Sequence, residues 1–131
     1  MKKHHFILVV TIAILTISGV VLYQKYFACN DRTPEGALEC FVKALETGNT
    51  KKILQYIAAE SQAEWQELLP QTDLKATVAD YRRYPPERSD MATPNDEVAS
   101  FDTTQTVNGE IHEISIMLVR ERSGKWKVVD F

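Results

Sequence analysis

Apolar and polar residues follow three different spacings along this chain. Residues 6–23 form an unbroken uncharged run, residues 33–69 repeat apolar positions every three or four residues, and residues 98–131 alternate. These patterns are typical of a membrane-spanning helix, amphipathic helices and half-buried strands. The sequence therefore predicts an α+β fold class, with a transmembrane helix followed by two to three helices packed on an antiparallel sheet of three to four strands.

The N-terminal run, FILVVTIAILTISGVVLY, spans about 27 Å as a helix, which is close to the thickness of a bilayer core. Lys2 and Lys3 precede it without an acidic residue, and this excess of positive charge keeps the N-terminus in the cytoplasm. The remaining chain would then lie in the periplasm or outside the cell, held at the bacterial inner membrane by a single pass. The expected division is residues 1–28 as cytoplasmic tip and anchor, residues 29–32 as tether, and residues 33–131 as extracytoplasmic domain.

Two other interpretations of the N-terminal segment stay open. Cleavage before Cys29 would place Tyr26 at the −3 position, where signal peptidase needs a small residue. Lipidation of Cys29 would follow Tyr26-Phe27-Ala28, a poor version of the usual Leu-Ala-Gly-like triplet. An uncleaved anchor is preferred, and all three interpretations place the domain on the same side of the membrane.

The charge of the chain is concentrated in the domain. Three of the 15 basic residues, Lys2, Lys3 and Lys25, precede Cys29, whereas all 18 acidic residues follow it, leaving a net charge of about −6. This balance disfavours nucleic acid and anionic lipid as partners. It suits a basic protein partner, although mild acidity also keeps a domain soluble.

The chain has two cysteines, Cys29 and Cys40. In an oxidising compartment such a pair often forms a disulfide, which here would join the tether to the first helix. The other interpretation is two free thiols, with Cys40 acting as a small buried hydrophobic residue. Neither cysteine has histidine or cysteine neighbours at metal-ligand spacing, so we expect no metal and no cofactor.

The first helix has clear boundaries in the sequence. Thr33-Pro34-Glu35 supplies a capping hydroxyl, a proline at the first helical position and an acid in the first turn, and Gly48-Asn49 ends the helix. A second helix is predicted at 50–59, and a third at 60–69 with Trp65, Leu68 and Leu69 pointing inward. The segment 73–84 is compatible with either a short helix or an irregular strand.

Two turns fix the predicted register of the sheet. Asn108-Gly109 indicates a two-residue hairpin turn, which sets Phe101 opposite Ile116 and Ala99 opposite Leu118. A second two-residue turn at Ser123-Gly124 would set Val129 opposite Leu118 and Phe131 opposite Ile116. This register predicts an apolar group on the outer face of the sheet, made of Val98, Met117, Val119, Trp126 and Val128. Either the 71–97 segment covers this outer-face patch, or a partner protein or a second copy of the chain binds it.

Two local signatures, TPEGALECFVKALETGN at 33–49 and SGKWKVVDF at 123–131, carry a family resemblance. With the order of helices before a long sheet, the chain resembles the nuclear-transport-factor-two-like superfamily, whose fold is a cystatin-like cone with a curved sheet. Within it, the chain is similar to small bacterial extracytoplasmic proteins, including lumazine-binding-like domains of unknown function. The resemblance implies either an isomerase-like enzyme or a non-catalytic scaffold, such as a secretion-machine subunit or a periplasmic immunity protein.

The sequence contains no recognisable catalytic set. His112, the one histidine of the domain, is predicted on the core side opposite Gln105, near the end of the sheet. Asp80 and Tyr81 resemble the acid and phenol of isomerases of this fold, but adjacent helical residues point in different directions. The arginines of the 82–88 segment form a basic cluster suited either to an acidic partner or to solvent.

We therefore expect a non-enzymatic, membrane-anchored domain that binds another protein. The alternative is a small-ligand carrier or isomerase-like enzyme that uses the pocket of the cone. A cavity of roughly 300 Å³ or more with convergent polar groups would favour the alternative. An interior filled by large side chains would favour the binding module; those side chains are Phe41, Leu45, Phe101 and Ile116.

Overall fold

Four α-helices precede a four-stranded antiparallel sheet in the computed structural model, which describes residues 29–89 and 97–130. The predicted α+β class is confirmed, and the described part of the chain has one helix more than the two to three expected. The helices are α1 (Pro34–Thr47), α2 (Thr50–Leu54), α3 (Gln62–Leu68) and α4 (Leu74–Arg83). The strands are β1 (Glu87–Arg88), β2 (Val98–Val107), β3 (Glu110–Arg120) and β4 (Trp126–Asp130).

Helix α1 begins and ends where the sequence predicts. The Thr33 hydroxyl accepts a hydrogen bond from the Gly36 N–H at 3.1 Å, and Pro34 occupies the first helical position. Gly48 ends the helix in the left-handed region at φ 65°, which glycine adopts without steric cost. The apolar positions that recur every three or four residues along α1 are all buried: Ala37, Leu38, Cys40, Phe41, Ala44 and Leu45.

Helix α2 is shorter than predicted, because the residues after Leu54 lie along the edge of the sheet instead. The Val128 N–H donates to the Tyr56 carbonyl, and the Ala58 N–H donates to the Val128 carbonyl, both at 2.8 Å. Ile57 therefore pairs with Val128 in a parallel bridge. Tyr56 and Ala58 thus bond to Val128 instead of continuing the helix, and their segment covers the outer edge of β4.

Helix α3 lies between two 3₁₀ turns, Ala59–Ser61 and Leu69–Gln71. Trp65 and Leu69 are buried as predicted, whereas Leu68 is 47% exposed. The inward assignment of Leu68 was wrong because a helix places adjacent residues about 100° apart, and burying Leu69 turns Leu68 outward.

The undecided 73–84 segment is helical. The Asp73 carboxylate accepts a hydrogen bond from the Ala76 N–H at 3.1 Å and caps α4. The helix ends at Arg83, just before Tyr84 and the Pro85-Pro86 pair. A residue that precedes proline is pushed out of the helical region, which accounts for the stop.

The strands lie in the order β1-β2-β3-β4, and the register of the first hairpin is confirmed. Asn108 and Gly109 both have positive φ, at 52° and 82°, as a two-residue turn between twisted strands requires. Phe101 pairs with Ile116 and Ala99 with Leu118.

The predicted register of β4 was wrong by one residue over Trp126–Val128 but holds at Asp130, which pairs with Met117. Phe131, predicted opposite Ile116, lies outside the described residues. β3 ends at Arg120 and β4 begins at Trp126, so the loop contains five residues rather than two, and Val128 pairs with Leu118. A β-bulge between Met117 and Leu118 accompanies this pairing. Because side chains alternate between the two faces, the shift turns Trp126 and Val128 toward the helices.

One apolar core joins the helices to the sheet. Phe41 meets Trp65 edge-on, with ring centroids 5.5 Å apart, and the Trp65 indole N–H donates to the Val129 carbonyl at 3.2 Å. Within residues 29–89 and 97–130, no helix has the length and apolar content needed to cross a membrane. The predicted anchor at residues 6–23 lies outside the described residues.

Candidate interaction surface

The predicted outer-face patch is divided by the fold. Trp126 is 5% exposed and Val128 is fully buried, and both belong to the core. Met117, by contrast, is 40% exposed, and Val98 and Val119 are half-buried. Trp126 and Val128 do not lie on an exposed surface, because the observed pairing of β4 differs by one residue from the register on which the predicted patch depended.

The middle of the outer face is polar. The Ser115 hydroxyl donates to the Asp102 carboxylate at 2.7 Å across the β2–β3 pair, and Glu113 lies beside Thr104. This polar centre separates Met117 from Ile111, which is 65% exposed near the hairpin turn. The outer face of β3 therefore has apolar residues toward both ends and a polar centre, rather than one apolar patch.

The outer edge of β4 is covered by the rest of the described chain. Asp31 accepts from the Trp126 N–H at 2.7 Å, and the Tyr56–Ala58 segment satisfies both backbone groups of Val128. The side chain of Lys127 donates to the Gln55 carbonyl, which joins the same segment again to β4.

The outer edge of β2 has partners at Ser100, Asp102 and Thr106. β1 pairs with Phe101 and Asp102, and the Ser89 N–H donates to the Ser100 carbonyl at 2.9 Å. Further along, the Asp80 carboxylate accepts from the Thr106 N–H at 2.9 Å. A short edge strand and a covering helix are devices that hinder the addition of another strand to a sheet.

The edge of β3 near the hairpin turn is different. β3 has eleven residues and β4 has five, and β4 pairs only with the last four residues of β3, Met117–Arg120. The hydrogen bonds of Ser100 and Thr106 show that the backbone N–H and C=O groups of even-numbered β2 residues are directed away from β3. Because these residues lie opposite odd-numbered residues of β3, the backbone groups of odd-numbered β3 residues are directed away from β2. No residue in the described part of the chain hydrogen-bonds the backbone of Ile111, Glu113 or Ser115.

Acidic and apolar side chains flank this stretch, which we call the free edge (residues 111–115). Ile111, Glu113 and Ser115 are exposed on the outer face. On the other face, His112 is half-exposed with its imidazole 3.7 Å from the Glu110 carboxylate, and Ile114 is half-buried. Sequence reasoning missed the free edge, because it depends on which residues of β3 the short β4 pairs with in the assembled sheet.

The predicted arginine cluster is already occupied within the domain. Arg82 contacts Glu39 at 3.0 Å and Glu46 at 2.8 Å, both on α1. Arg88 contacts Glu35 at 2.8 Å, and Arg83 lies over the Tyr84 ring at 5.3 Å. These contacts join α4 and β1 to α1, so the arginines do not form a single basic surface.

The candidate catalytic residues do not converge. His112 is at the end of the sheet, with its side chain 51% exposed. Asp80 binds the β2 edge, whereas Tyr81 is buried and burial raises the pKa of its phenol. No group of three metal-ligating side chains occurs within residues 29–89 and 97–130.

Two depressions lie near β1. One, of about 230 Å³, lies between α1 and α4 over Tyr81 and Phe101. The other is a wide polar groove of about 1190 Å³ along the β1 side of the sheet, lined by residues that include Arg83, Arg88, Asp102 and Glu113. Neither depression opens the interior between the helices and the sheet, where Phe41 and Ile116 are fully buried.

Cys29 and Cys40 lie side by side as free thiols. Burial, followed by interaction with Cys29, raises the pKa of Cys40 above its usual range. The Tyr56 hydroxyl belongs to the same cluster: burial, together with the two cysteines and Asp31, raises its pKa to about 12. A Cβ on Gly36 would clash with the Asn30 carbonyl oxygen, so residues 29–32 lie against α1 and do not extend away from it.

A comparison with protein-family models and a search of curated proteins find no match to this chain.

Proposed function

We propose that this chain is a non-enzymatic, membrane-anchored extracytoplasmic domain that binds another protein. The observation that carries the proposal is the filled interior. Phe41, Leu45, Phe101 and Ile116, the four side chains that distinguish a binding module from a ligand carrier, are all at most 3% exposed. Small-molecule sites are clefts or cavities that bury most of the ligand and present a few converging polar groups. The space between the helices and the sheet is instead filled by apolar side chains.

The proposed location of the domain depends on the sequence of its N-terminal segment. Residues 6–23 are uncharged and long enough to span a bilayer, and two lysines precede them. The described chain begins beside the Arg120 end of β3, where Asp31 bonds Trp126. The hairpin turn lies about 33 Å away along β3, which supports a hairpin that reaches partners away from the bilayer.

The family proposal is a nuclear-transport-factor-two-like, cystatin-like cone. The order of four helices followed by an antiparallel sheet is compatible with it. Within that family, the roles that fit a non-enzymatic domain are an envelope or secretion-machine scaffold and a periplasmic immunity-type protein.

The polar groove beside β1 is the feature that favours the alternative, a small-ligand carrier. It is open along the sheet and lies outside the core, whereas a carrier buries most of the surface of its ligand. We therefore prefer protein binding.

A photo-crosslinking experiment in intact cells tests the proposal. A photoreactive amino acid replaces Ile111 in the full chain, and the control replaces Leu68, which is 47% exposed on α3. We expect a protein adduct from position 111 and none from position 68. We also expect the chain in the membrane fraction, with its domain digested by protease that is added from the periplasmic side. Equal labelling at both positions, or the intact chain in the cytosol, would contradict the proposed function.

A further inference from the structure

We propose that the free edge of β3 binds an extended segment of the partner protein as an added strand, and that this segment carries basic side chains on one face and apolar side chains on the other. This inference rests on the proposed function and names the surface and the chemistry of recognition. The outer edges of β2 and β4 have partners at most positions, in β1, Asp80, Asp31 and the Tyr56–Ala58 segment. At residues 111–115, by contrast, the edge of β3 that faces away from β2 has no backbone partner among the described residues.

The backbone of the free edge is prepared for pairing. Ile111, Glu113 and Ser115 direct their N–H and C=O groups away from β2, at the spacing of an antiparallel or parallel ladder. Such an edge gives affinity through main-chain hydrogen bonds, and its side chains give specificity. Long edges are normally blocked in proteins that do not use them.

The side chains define the partner. On the outer face, an incoming strand would lie beside Glu113, with Ile111 and Ser115 on either side, and the carboxylate favours lysine or arginine at the central position. On the inner face it would lie beside Ile114, which favours an apolar residue. Cross-strand pairs of opposite charge and of apolar side chains both stabilise a sheet. The net charge of the domain, about −6, attracts the same basic segment at longer range.

The same charges disfavour a second copy of this chain as the occupant. An antiparallel pairing of two free edges centred on Glu113 would set the two Glu113 carboxylates directly opposite each other. Like charges in that position destabilise a strand pair. Two domains with the same negative charge also repel each other during approach.

The test uses the full chain in nanodiscs of phosphatidylcholine and a fluorescent decapeptide of alternating lysine and valine. In Glu113→Pro, the missing N–H is one that points to the free edge, so the β2–β3 ladder keeps its hydrogen bonds. In the matched control, Glu113→Ala, the charge is lost but the N–H remains. Fluorescence anisotropy should show saturable binding, and Glu113→Pro should bind roughly three- to tenfold more weakly than Glu113→Ala, as expected for one hydrogen bond.

Amide chemical shifts of the unmodified chain keep the test decisive if Glu113→Pro fails to fold. The peptide should shift the amides of Ile111, Glu113 and Ser115 more than those at alternate positions. Equal binding by both variants, equal binding of a glutamate–valine decapeptide, or self-association through residues 111–115 would overturn the proposal. Cross-linking at Ile111 without peptide binding would reject this strand mechanism and leave the proposed function intact.

Discussion

Replacing Trp126 by alanine distinguishes a core residue from an interface residue. The sequence pattern alone placed Trp126 on a partner-binding patch, from which its removal would leave stability almost unchanged. In the structure its side chain is 5% exposed and belongs to the core with Leu38 and Val128. Truncation of a buried tryptophan to alanine costs about 3–5 kcal/mol, because apolar contacts are lost and a cavity remains. A domain of this size has about 5–15 kcal/mol of stability in total.

Urea denaturation of the full chain in neutral detergent measures this cost. The fluorescence of Trp65, which both variants keep, monitors the unfolding. Met117→Ala is the matched control, since Met117 is 40% exposed in the neighbouring strand. We expect Trp126→Ala to lower the free energy of unfolding by about 3–5 kcal/mol and Met117→Ala by no more than about 1 kcal/mol. Unchanged stability of Trp126→Ala would refute the observed β4 register and restore the register predicted from the sequence.

Four further outcomes are expected. Oxidised glutathione should accept two electrons from Cys29 and Cys40 and leave a disulfide between them, seen as a mass lower by two hydrogen atoms. On the chain-entropy account this disulfide should add about 3 kcal/mol to the free energy of unfolding. Two free thiols after the treatment would reject the pairing. Gly36→Ala should destabilise the domain by about 1–3 kcal/mol in urea, because the new methyl group meets the Asn30 carbonyl; a neutral effect would show that residues 29–32 do not lie against α1. Tyr56 should ionise near pH 12 in an absorbance titration. Since its pKa in the folded state exceeds the usual 10, the free energy of unfolding should fall as the pH rises from about 10 to 12. Titration of Tyr56 at its ordinary pKa would contradict its burial with the cysteines. Arg82→Ala should cost less than about 1 kcal/mol, because its ion pairs with Glu39 and Glu46 are about half-exposed; a larger loss would mean that these pairs hold α4 in place.

Local signals were sufficient where a few neighbouring residues decide the structure. Thr33, Pro34 and Gly48 set the limits of α1 through caps and dihedral angles, which depend on adjacent residues. Asn108 and Gly109 fixed the β2–β3 register for the same reason, since both must adopt positive φ. The order of helices followed by a sheet was accordingly predictable.

Long-range contacts decided the features that the sequence did not predict. Trp126 is held by the Asp31 carbonyl, 95 positions earlier in the chain, and this contact accompanies the five-residue loop that reverses the faces of β4. α2 ends early because Tyr56 and Ala58 bond Val128. The free edge of β3 is the consequence of a short β4, and only the assembled sheet reveals which backbone groups remain unpaired.

Amide hydrogen exchange along β3 is the most direct test of protein binding at the free edge. The full chain is compared in phosphatidylcholine nanodiscs, where no partner is present, and in native membrane vesicles. We predict rapid exchange at Ile111, Glu113 and Ser115 in nanodiscs, slow exchange at His112 and Ile114, and protection of the first three in native membranes. Protection of all five amides in nanodiscs, or no gain of protection in native membranes, would contradict the account.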